Sequence, residues 1–287
     1  MNEQENFDEI EKQKLFSPII MFLLLSFVIT WGLSLLFIYP LNFIYQMRSF
    51  DSFIGILCTI AVGLQSFGPT FAAIITIVYY EGKKGLKEFG KRFIKIKVKF
   101  YWYLLVFFLP VIVYSIPIIA NLIFGNPNNY SYFDTSIWGI DVSVIIINIV
   151  FAGLAEEPGW RGFAVPEMSK KHRPIVTGMV IGVFWAVWHL LSYIYGGRSW
   201  STFPQFVFTV TIISCIYVWI YMKTESVPLM IIFHVMHNLS NRVFIKYHKP
   251  IWGGLIYLLV LSFIIILDRS FVFKKPNLLD SEEEIDS

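Results

Sequence analysis

Long apolar runs separated by short polar connections dominate the chain from residue 17 onward. Since a bilayer core of about 30 Å needs roughly 20 apolar residues per helix, runs of this length predict membrane-spanning helices. Eight stretches meet or approach that length, and they predict an all-α polytopic membrane protein folded as an eight-transmembrane-helix bundle. The predicted spans are Ser17–Tyr39, Phe53–Tyr80, Tyr101–Phe124, Val142–Phe163, Pro174–Tyr195, Phe203–Met222, Val227–Ile245 and Ile251–Leu267.

Basic residues in the connections predict how the spans are oriented. Counted with the N-terminus inside, 17 of the 23 Lys and Arg residues fall in inner segments and 5 in outer segments, while Arg161 lies within a span. Because cytoplasmic loops carry the excess of Lys and Arg, this distribution predicts a protein integral to the cell membrane with cytoplasmic N- and C-termini. Residues 1–16 and the acidic residues 268–287 are then expected to be tails that flank a transmembrane domain at 17–267.

The composition agrees with a membrane protein. Of the 287 residues, 56% are hydrophobic and 15% are charged, whereas soluble domains carry roughly 25% charged residues. The net charge of +3 is too small to indicate a nucleic-acid partner. The basic loop at 81–99 fits an inner loop of the predicted topology, and an interfacial segment that anchors the chain to anionic headgroups is compatible with it.

One predicted span carries polar residues and a helix breaker near its middle. Gln65 and Ser66 precede Gly68 and Pro69 in the second span. Proline removes a backbone donor and interrupts a helix, so a kink or a tilt is expected at this point.

Three charged residues fall within six positions of the fourth predicted span. A charged group at mid-bilayer costs at least ~2.5–3.5 kcal/mol on insertion scales. Glu157 and Arg161 stand four residues apart, where helical side chains meet, and would neutralise each other. Glu156 points about 100° away from that pair and is expected to face a cavity. Pro158 and Gly159 predict a kinked or re-entrant helix here, and the alternative to a functional site is a buried ion pair that joins two helices.

Two further spans carry ionisable or amide side chains. His189 lies in an otherwise uncharged span, and a lone His is also typical of a hydrogen-bonded core position. The seventh span carries His234, His237, Asn238 and Asn241. His234, Asn238 and Asn241 share one helix face, with His237 at its edge. Such side chains would be costly against lipid, so they are expected to face the bundle interior.

The polar side chains of these three spans suffice for one site in a membrane-embedded polar cavity. A glutamate base, Glu156, and a histidine partner, His189, can activate a water molecule. A second histidine, His234, and an amide, Asn238, can donate hydrogen bonds to a developing oxyanion. The sequence contains no H-E-x-x-H motif and no Ser, Cys or Asp nucleophile in a recognisable setting. The combination therefore favours amide hydrolysis by an activated water.

The predicted spans place these residues at different depths. With a rise of about 1.5 Å per residue, Glu156 lies roughly 10 Å from the predicted inner end of its span, and His189 lies about 22 Å into its own. His234, roughly 10 Å into its span, agrees with Glu156. A tilt, a break within the fourth span or a later start of the fifth would reconcile the depths.

The order and spacing of these motifs resemble the CPBP family (CAAX proteases and bacteriocin-processing enzymes), also known as the Abi family of intramembrane endopeptidases. The family pattern is E-E-x-x-x-R, then F-x-x-x-H, then H-x-x-x-N or H-x-x-x-D, each on a separate transmembrane helix. Here EEPGWR at 156–161 and HVMHN at 234–238 match completely. The second motif departs, because Trp185 rather than Phe stands four residues before His189.

The resemblance implies an intramembrane endopeptidase whose catalytic core spans about residues 142–245. Glu156 would be the general base acting on water and His189 its partner, while His234 and Asn238 would stabilise the oxyanion. The implied site residues are Glu156, His189, His234 and Asn238 as catalytic groups and Glu157 and Arg161 as supporting groups.

Metal dependence has two interpretations, because the family is often described as metalloproteases. Glu156, His189 and His234 could form a His₂Glu set, which is an acceptable zinc site. Asn238 is a poor zinc ligand but a good oxyanion donor, so a metal-free glutamate mechanism with no bound cofactor is favoured.

Other function classes stay open at this point. A membrane immunity or binding protein could use the same fold without catalysis. A transporter with a polar midplane site is less favoured, since the sequence has no internal repeat. The expected partners are the lipid bilayer and a membrane-associated peptide or protein substrate, with or without a lipid modification, and not nucleic acid. The sequence itself identifies no substrate.

Overall fold

The structure, a computed structural model, describes residues 16–38, 53, 60, 63–124, 142–244 and 250–274. Every regular element within those ranges is helical. The helices are α1 (Pro18–Leu33), α2 (Gly68–Phe93), α3 (Phe100–Phe124), α4 (Val142–Ser169), α5 (Pro174–Trp188), α6 (Leu190–Tyr195), α7 (Phe203–Thr224), α8 (Val227–Phe244), α9 (Pro250–Leu267) and α10 (Ser270–Phe273).

Four stretches of the described chain are long and apolar enough to cross a membrane: Pro18–Leu36, Phe100–Ala120, Val142–Ser169 and Trp200–Thr224. Two shorter apolar helices, Pro174–Trp188 and Ile251–Leu267, accompany them. The chain is therefore an all-α, multi-pass membrane protein, as the hydropathy pattern predicts. The number of eight spans and the cytoplasmic location of both termini stay predictions.

The described helices overlap the predicted spans, and most of their ends shift by a few residues. The largest shift is at α2, which continues to Phe93, beyond the predicted end at Tyr80, and α4 continues to Ser169, beyond the predicted end at Phe163. Most of the predicted N-terminal tail, the last residues of the acidic tail and much of the first half of the second predicted span lie outside the described residues.

The interruption predicted in the second span is present. Residues 63–66 are helical, the chain turns at Phe67, and α2 starts with Pro69 in its first turn, where a missing N–H costs nothing. Within α2 the backbone kinks again at Gly82, whose φ of 62° lies in the left-handed region that glycine adopts most easily.

The fourth helix continues through Pro158, and the kinked or re-entrant segment stays a prediction. Ile149–Leu154 and Pro158–Ala164 are wound as wider π-helical turns on either side of the two glutamates. Pro158 has no N–H to offer the preceding turn. The Thr70 hydroxyl of α2 donates to the carbonyl of Ala155 at 2.7 Å and lies 3.4 Å from the carbonyl of Leu154, four residues before the proline, so a second helix supports the backbone here.

Small residues let α5 and α7 approach closely. A Cβ atom added to Gly178 would lie 2.7 Å from the Cα of Cys215, and one added to Gly182 would lie 2.6 Å from the Cα of Thr211. Two glycines four residues apart on one helix face are a common contact in membrane helix pairs. This contact fixes the position of α5, the helix that ends next to His189.

A polar contact stabilises the C-terminal end of α7. The carboxylate of Asp268, just after α9, lies 2.7 Å from Lys223 Nζ and accepts a hydrogen bond from Trp219 Nε1 at 3.1 Å. The Lys223 ammonium group, with the Ser270 hydroxyl and the Trp219 indole, lowers the pKa of Asp268 to about 2. The carboxylate therefore stays charged at neutral pH and holds the two helix ends together.

The glycine contact predicts that Gly182→Ala destabilises the protein by about 1–3 kcal/mol, because the new methyl group meets backbone atoms that cannot rotate away. The measurement is thermal unfolding in detergent micelles. Gly90→Ala is the matched control, since a Cβ at Gly90 meets nothing within 4 Å, and alanine is favoured over glycine in a helix. Equal unfolding temperatures for the two variants would contradict the close packing.

Candidate active site

A cavity of about 80 Å³ lies where α1, the segment before α2, α4, α5 and α6 meet. The residues that line it are Thr30, Ser34, Gln65, Ser66, Glu156, Trp188, His189, Leu191 and Ser192. Most of these side chains carry a polar atom, although the surrounding helices are apolar. The expectation that Glu156 faces a polar cavity is confirmed.

Glu156 is held at the cavity by an indole group. Its side chain is almost fully buried, and its Oε2 accepts a hydrogen bond from Trp185 Nε1 at 2.7 Å. The same oxygen lies 3.8 Å from His189 Nε2. The sequence therefore correctly predicts that Glu156 and His189 meet, but it does not reveal that Trp185 binds the carboxylate.

The protonation of His189 follows from its other contact. His189 Nδ1 lies 2.7 Å from the backbone carbonyl oxygen of Trp185. A carbonyl only accepts hydrogen bonds, so Nδ1 carries the proton. In the neutral imidazole, Nε2 is then an acceptor, and it faces Glu156 Oε2, which is also an acceptor. Two acceptors 3.8 Å apart do not bond each other directly.

The second carboxylate, Glu157, is held through its Oε1 atom in a buried charge network. Arg161 Nη1 donates to Glu157 Oε1 at 2.9 Å, as the four-residue spacing predicts. His234 Nδ1 lies 2.7 Å from the same oxygen, and both Glu157 and Arg161 have no solvent exposure. The guanidinium group lies between two aromatic faces, 4.1 Å from the centre of the Trp185 ring and 3.9 Å from that of Tyr217.

The amide of Asn238 is turned toward the fourth helix. Its Nδ2 donates to Asn148 Oδ1 at 3.1 Å, and Asn238 is not among the residues that line the cavity. Asn148 lies two turns before Glu156 and is a functional candidate that the sequence reasoning missed. Its amide in an otherwise apolar run of α4 is the signal that could have identified it.

His237 belongs to a separate cluster on α8. Its Nδ1 lies 3.2 Å from the hydroxyl of Tyr257, and its Nε2 lies 3.4 Å from that of Tyr114. These contacts connect α3, α8 and α9. The neighbouring His234 instead contacts Glu157 and the ring of Trp185, so the two histidines of α8 have different partners.

The depth conflict is resolved by where the helices begin and end. Because α4 continues to Ser169, Glu156 lies about 20 Å from that end, close to the roughly 22 Å that separates His189 from the start of α5. The start of α8 is itself buried, since Val227 is fully inaccessible and lies beside Gly162 of α4. His234, about 10 Å further along, therefore reaches the same level.

The positions of Glu156, His189 and His234 also bear on whether they could bind a metal ion. Among the described residues, no three His, Cys, Asp or Glu side chains are grouped so that they could hold a metal ion. The geometry therefore does not assemble Glu156, His189 and His234 as a ligand group.

Two comparisons with known proteins bear on this site. Residues 137–240 match the family described as type II CAAX prenyl endopeptidase Rce1-like. A curated protein named CAAX prenyl protease 2, from Methanococcus maripaludis, is 26% identical over 270 residues, which cover 89% of this chain and 96% of the relative. The matched segment contains all the residues of the three motifs.

These findings support the resemblance that the motifs indicate. The fold and the site are those of a multi-pass membrane protein with a buried carboxylate and histidine at a polar cavity. More narrowly, the chain is a membrane hydrolase that is similar to CAAX endopeptidases.

The buried ion pair predicts a large penalty when one partner is removed. Arg161→Met leaves the Glu157 charge buried without its guanidinium partner, so we expect a loss of about 3–5 kcal/mol in the free energy of unfolding. The double variant Glu157→Gln/Arg161→Met removes both charges and is expected to recover most of that loss. The free energy of unfolding of the parent, the single variant and the double variant is measured by chemical denaturation in mixed micelles.

The control is an ion pair at the end of the same helix whose lysine is exposed. Lys170 contacts Glu167 at 2.6 Å with its side chain largely in solvent, so Lys170→Met should cost less than about 1 kcal/mol. A double variant as unstable as Arg161→Met alone would show that packing, not the unpaired charge, causes the loss.

Proposed function

We propose that this endopeptidase cleaves a peptide bond with a water molecule activated by Glu156 and His189. The observation that carries the proposal is the pair of acceptors at the cavity, Glu156 Oε2 and His189 Nε2, 3.8 Å apart. A water molecule that donates one proton toward each acceptor would be oriented with its lone pair toward a bound carbonyl carbon. No nucleophilic side chain is required.

In the first step, Glu156 removes a proton from the water as the oxygen attacks the carbonyl carbon. The carbonyl π electrons move to its oxygen, and a tetrahedral oxyanion forms. In the second step, the protonated Glu156, with His189 as its partner, returns a proton to the amide nitrogen. The C–N bond then breaks, and an amine and a carboxylic acid leave the site.

The oxyanion is proposed to be bound by His234 and Asn238. Because His234 Nδ1 is engaged with Glu157, its Nε2 is the atom that could donate, provided that it is protonated. Two carboxylates against one guanidinium leave a net buried charge of −1, and a proton on His234 would cancel it. The amide nitrogen of Asn238 gives one N–H to Asn148 and has a second to offer.

The supporting pair has a separate role in this mechanism. Arg161 neutralises Glu157 and stacks on Trp185, and Trp185 in turn donates its indole N–H to Glu156. We propose that this connection holds Glu156 Oε2 in place beside His189 Nε2, so that the water is bound in a fixed position for proton transfer. Preorganisation of this kind is a main source of catalysis in enzymes.

The substrate class is proposed from the relatives. The family that residues 137–240 match is described as a prenyl endopeptidase, and the archaeal relative is named a CAAX prenyl protease. We propose that the substrates are membrane-associated proteins with a prenylated cysteine near the C-terminus, and that the residues after this cysteine are removed. A prenyl group would hold such a peptide at the bilayer in which this chain is embedded.

The first test replaces the proposed base. Glu156→Gln keeps the size and the contact with Trp185 but removes the proton acceptor, so cleavage of a farnesylated CAAX peptide should fall by about 10²–10⁴-fold. The assay measures release of the C-terminal tripeptide in proteoliposomes. Glu167→Gln, the same change nearer the end of α4, should leave the rate unchanged. If Glu156→Gln cleaved as fast as the parent, the mechanism would be wrong.

The second test addresses the metal. Since no ligand group is assembled among the described residues, activity is expected to persist after treatment with 1,10-phenanthroline and dialysis. The same preparation is assayed before and after addition of zinc. Loss of cleavage on chelation, with recovery on zinc addition, would instead support the zinc-dependent version that uses Glu156, His189 and His234 as ligands.

A further inference from the structure

The catalytic cavity has a second polar wall that the proposed mechanism does not use. Glu156 and His189 belong to α4 and the α5–α6 junction. Thr30 of α1, Ser34 just after α1 and Gln65 before α2 lie on the other side of the lining. Polar side chains are costly within apolar helices and commonly mark a substrate path. This wall therefore needs a function of its own.

Hydrogen bonds hold Gln65 in place at both its backbone and its side chain. The Thr30 hydroxyl donates to the Gln65 carbonyl oxygen at 2.9 Å and accepts from Trp188 Nε1, also at 2.9 Å. The Ser34 hydroxyl contacts Gln65 Oε1. The end of α1, itself joined to α5 through Trp188, thus fixes the position of one amide group.

These contacts leave a specific group for a ligand. With Oε1 on Ser34, the remaining hydrogen-bonding atom of the Gln65 side chain is Nε2, which carries two N–H donors. Gln65 is only half-buried and lines the same cavity as Glu156. A donor here suits an uncharged acceptor, and the acceptor that every peptide substrate provides is a backbone carbonyl.

We infer that Gln65 is a substrate-binding residue whose amide nitrogen donates to a peptide carbonyl next to the bond that is cleaved. The inference rests on the proposed function, because it concerns the same cavity. The oxyanion is assigned to His234 and Asn238, so the Gln65 bond is made equally to the bound substrate and in the transition state. Such an interaction changes substrate affinity and not the rate of the bound complex.

The decisive measurement is peptide binding without turnover. A fluorescent farnesylated CAAX peptide is titrated into the Glu156→Gln protein in micelles, with and without Gln65→Met. Loss of one neutral hydrogen bond should raise the Kd about three- to tenfold. Gln205→Met is the matched control, since Gln205 is a half-buried glutamine on α7 that is not among the residues lining the cavity.

Kinetics supply the second readout. In the parent background, Gln65→Met should raise KM by the same factor and leave kcat within about twofold. An unchanged Kd, or a fall in kcat with KM unchanged, would overturn the inference. Gln65→Glu serves if the methionine variant unfolds, because it keeps the contact with Ser34, replaces the donor with an acceptor and should weaken binding further.

The two proposals fail in different ways. If the parent protein does not cleave the peptide, or if Glu156→Gln cleaves it at the parent rate, the proposed function is wrong. The Kd comparison for Gln65→Met does not depend on cleavage. Equal Kd values with and without Gln65→Met, together with normal cleavage by the parent, would contradict the inference about Gln65 and would leave the proposed function intact.

Discussion

The buried ion pair between Glu157 and Arg161 sets the constraint on which the centre of this molecule depends. Both side chains are completely inaccessible to solvent, and a charge in such a place is tolerated only when other groups replace its water. The replacement comes from three other helices: Trp185 of α5, Tyr217 of α7 and His234 of α8. Satisfying one pair therefore brings four helices together, and the cavity forms beside that point.

Glu156 and Glu157 are adjacent in the sequence but have different roles because of this network. The charged Glu157 side chain holds Arg161 and His234 in place. Glu156, one residue earlier, faces the cavity with a single indole donor and a histidine beside it. The π-helical turns before and after the two glutamates also matter. Wider turns of this kind are frequent at functional sites, and here a hydroxyl of α2, from Thr70, stabilises the altered backbone.

The sequence predicts the parts of this fold that depend on local periodicity. Apolar runs locate the helices, and the four-residue spacing predicts the pair of Glu157 and Arg161. Contacts between helices are a different matter, because hydropathy does not define which faces meet. The indole bond from Trp185 to Glu156 and the amide bond from Asn238 to Asn148 join residues 29 and 90 positions apart. The roles assigned to the catalytic residues still rest on the resemblance and await the experiments.

The extension of α4 to Ser169 has a consequence for the shape of a substrate. Glu156 lies about 20 Å from that helix end, and an extended chain advances at most about 3.3–3.6 Å per residue. A polypeptide that enters from this side must therefore supply about six unfolded residues between its nearest folded part and the bond to be cut. For entry from that side, a flexible tail meets this requirement, and a bond inside a compact domain does not.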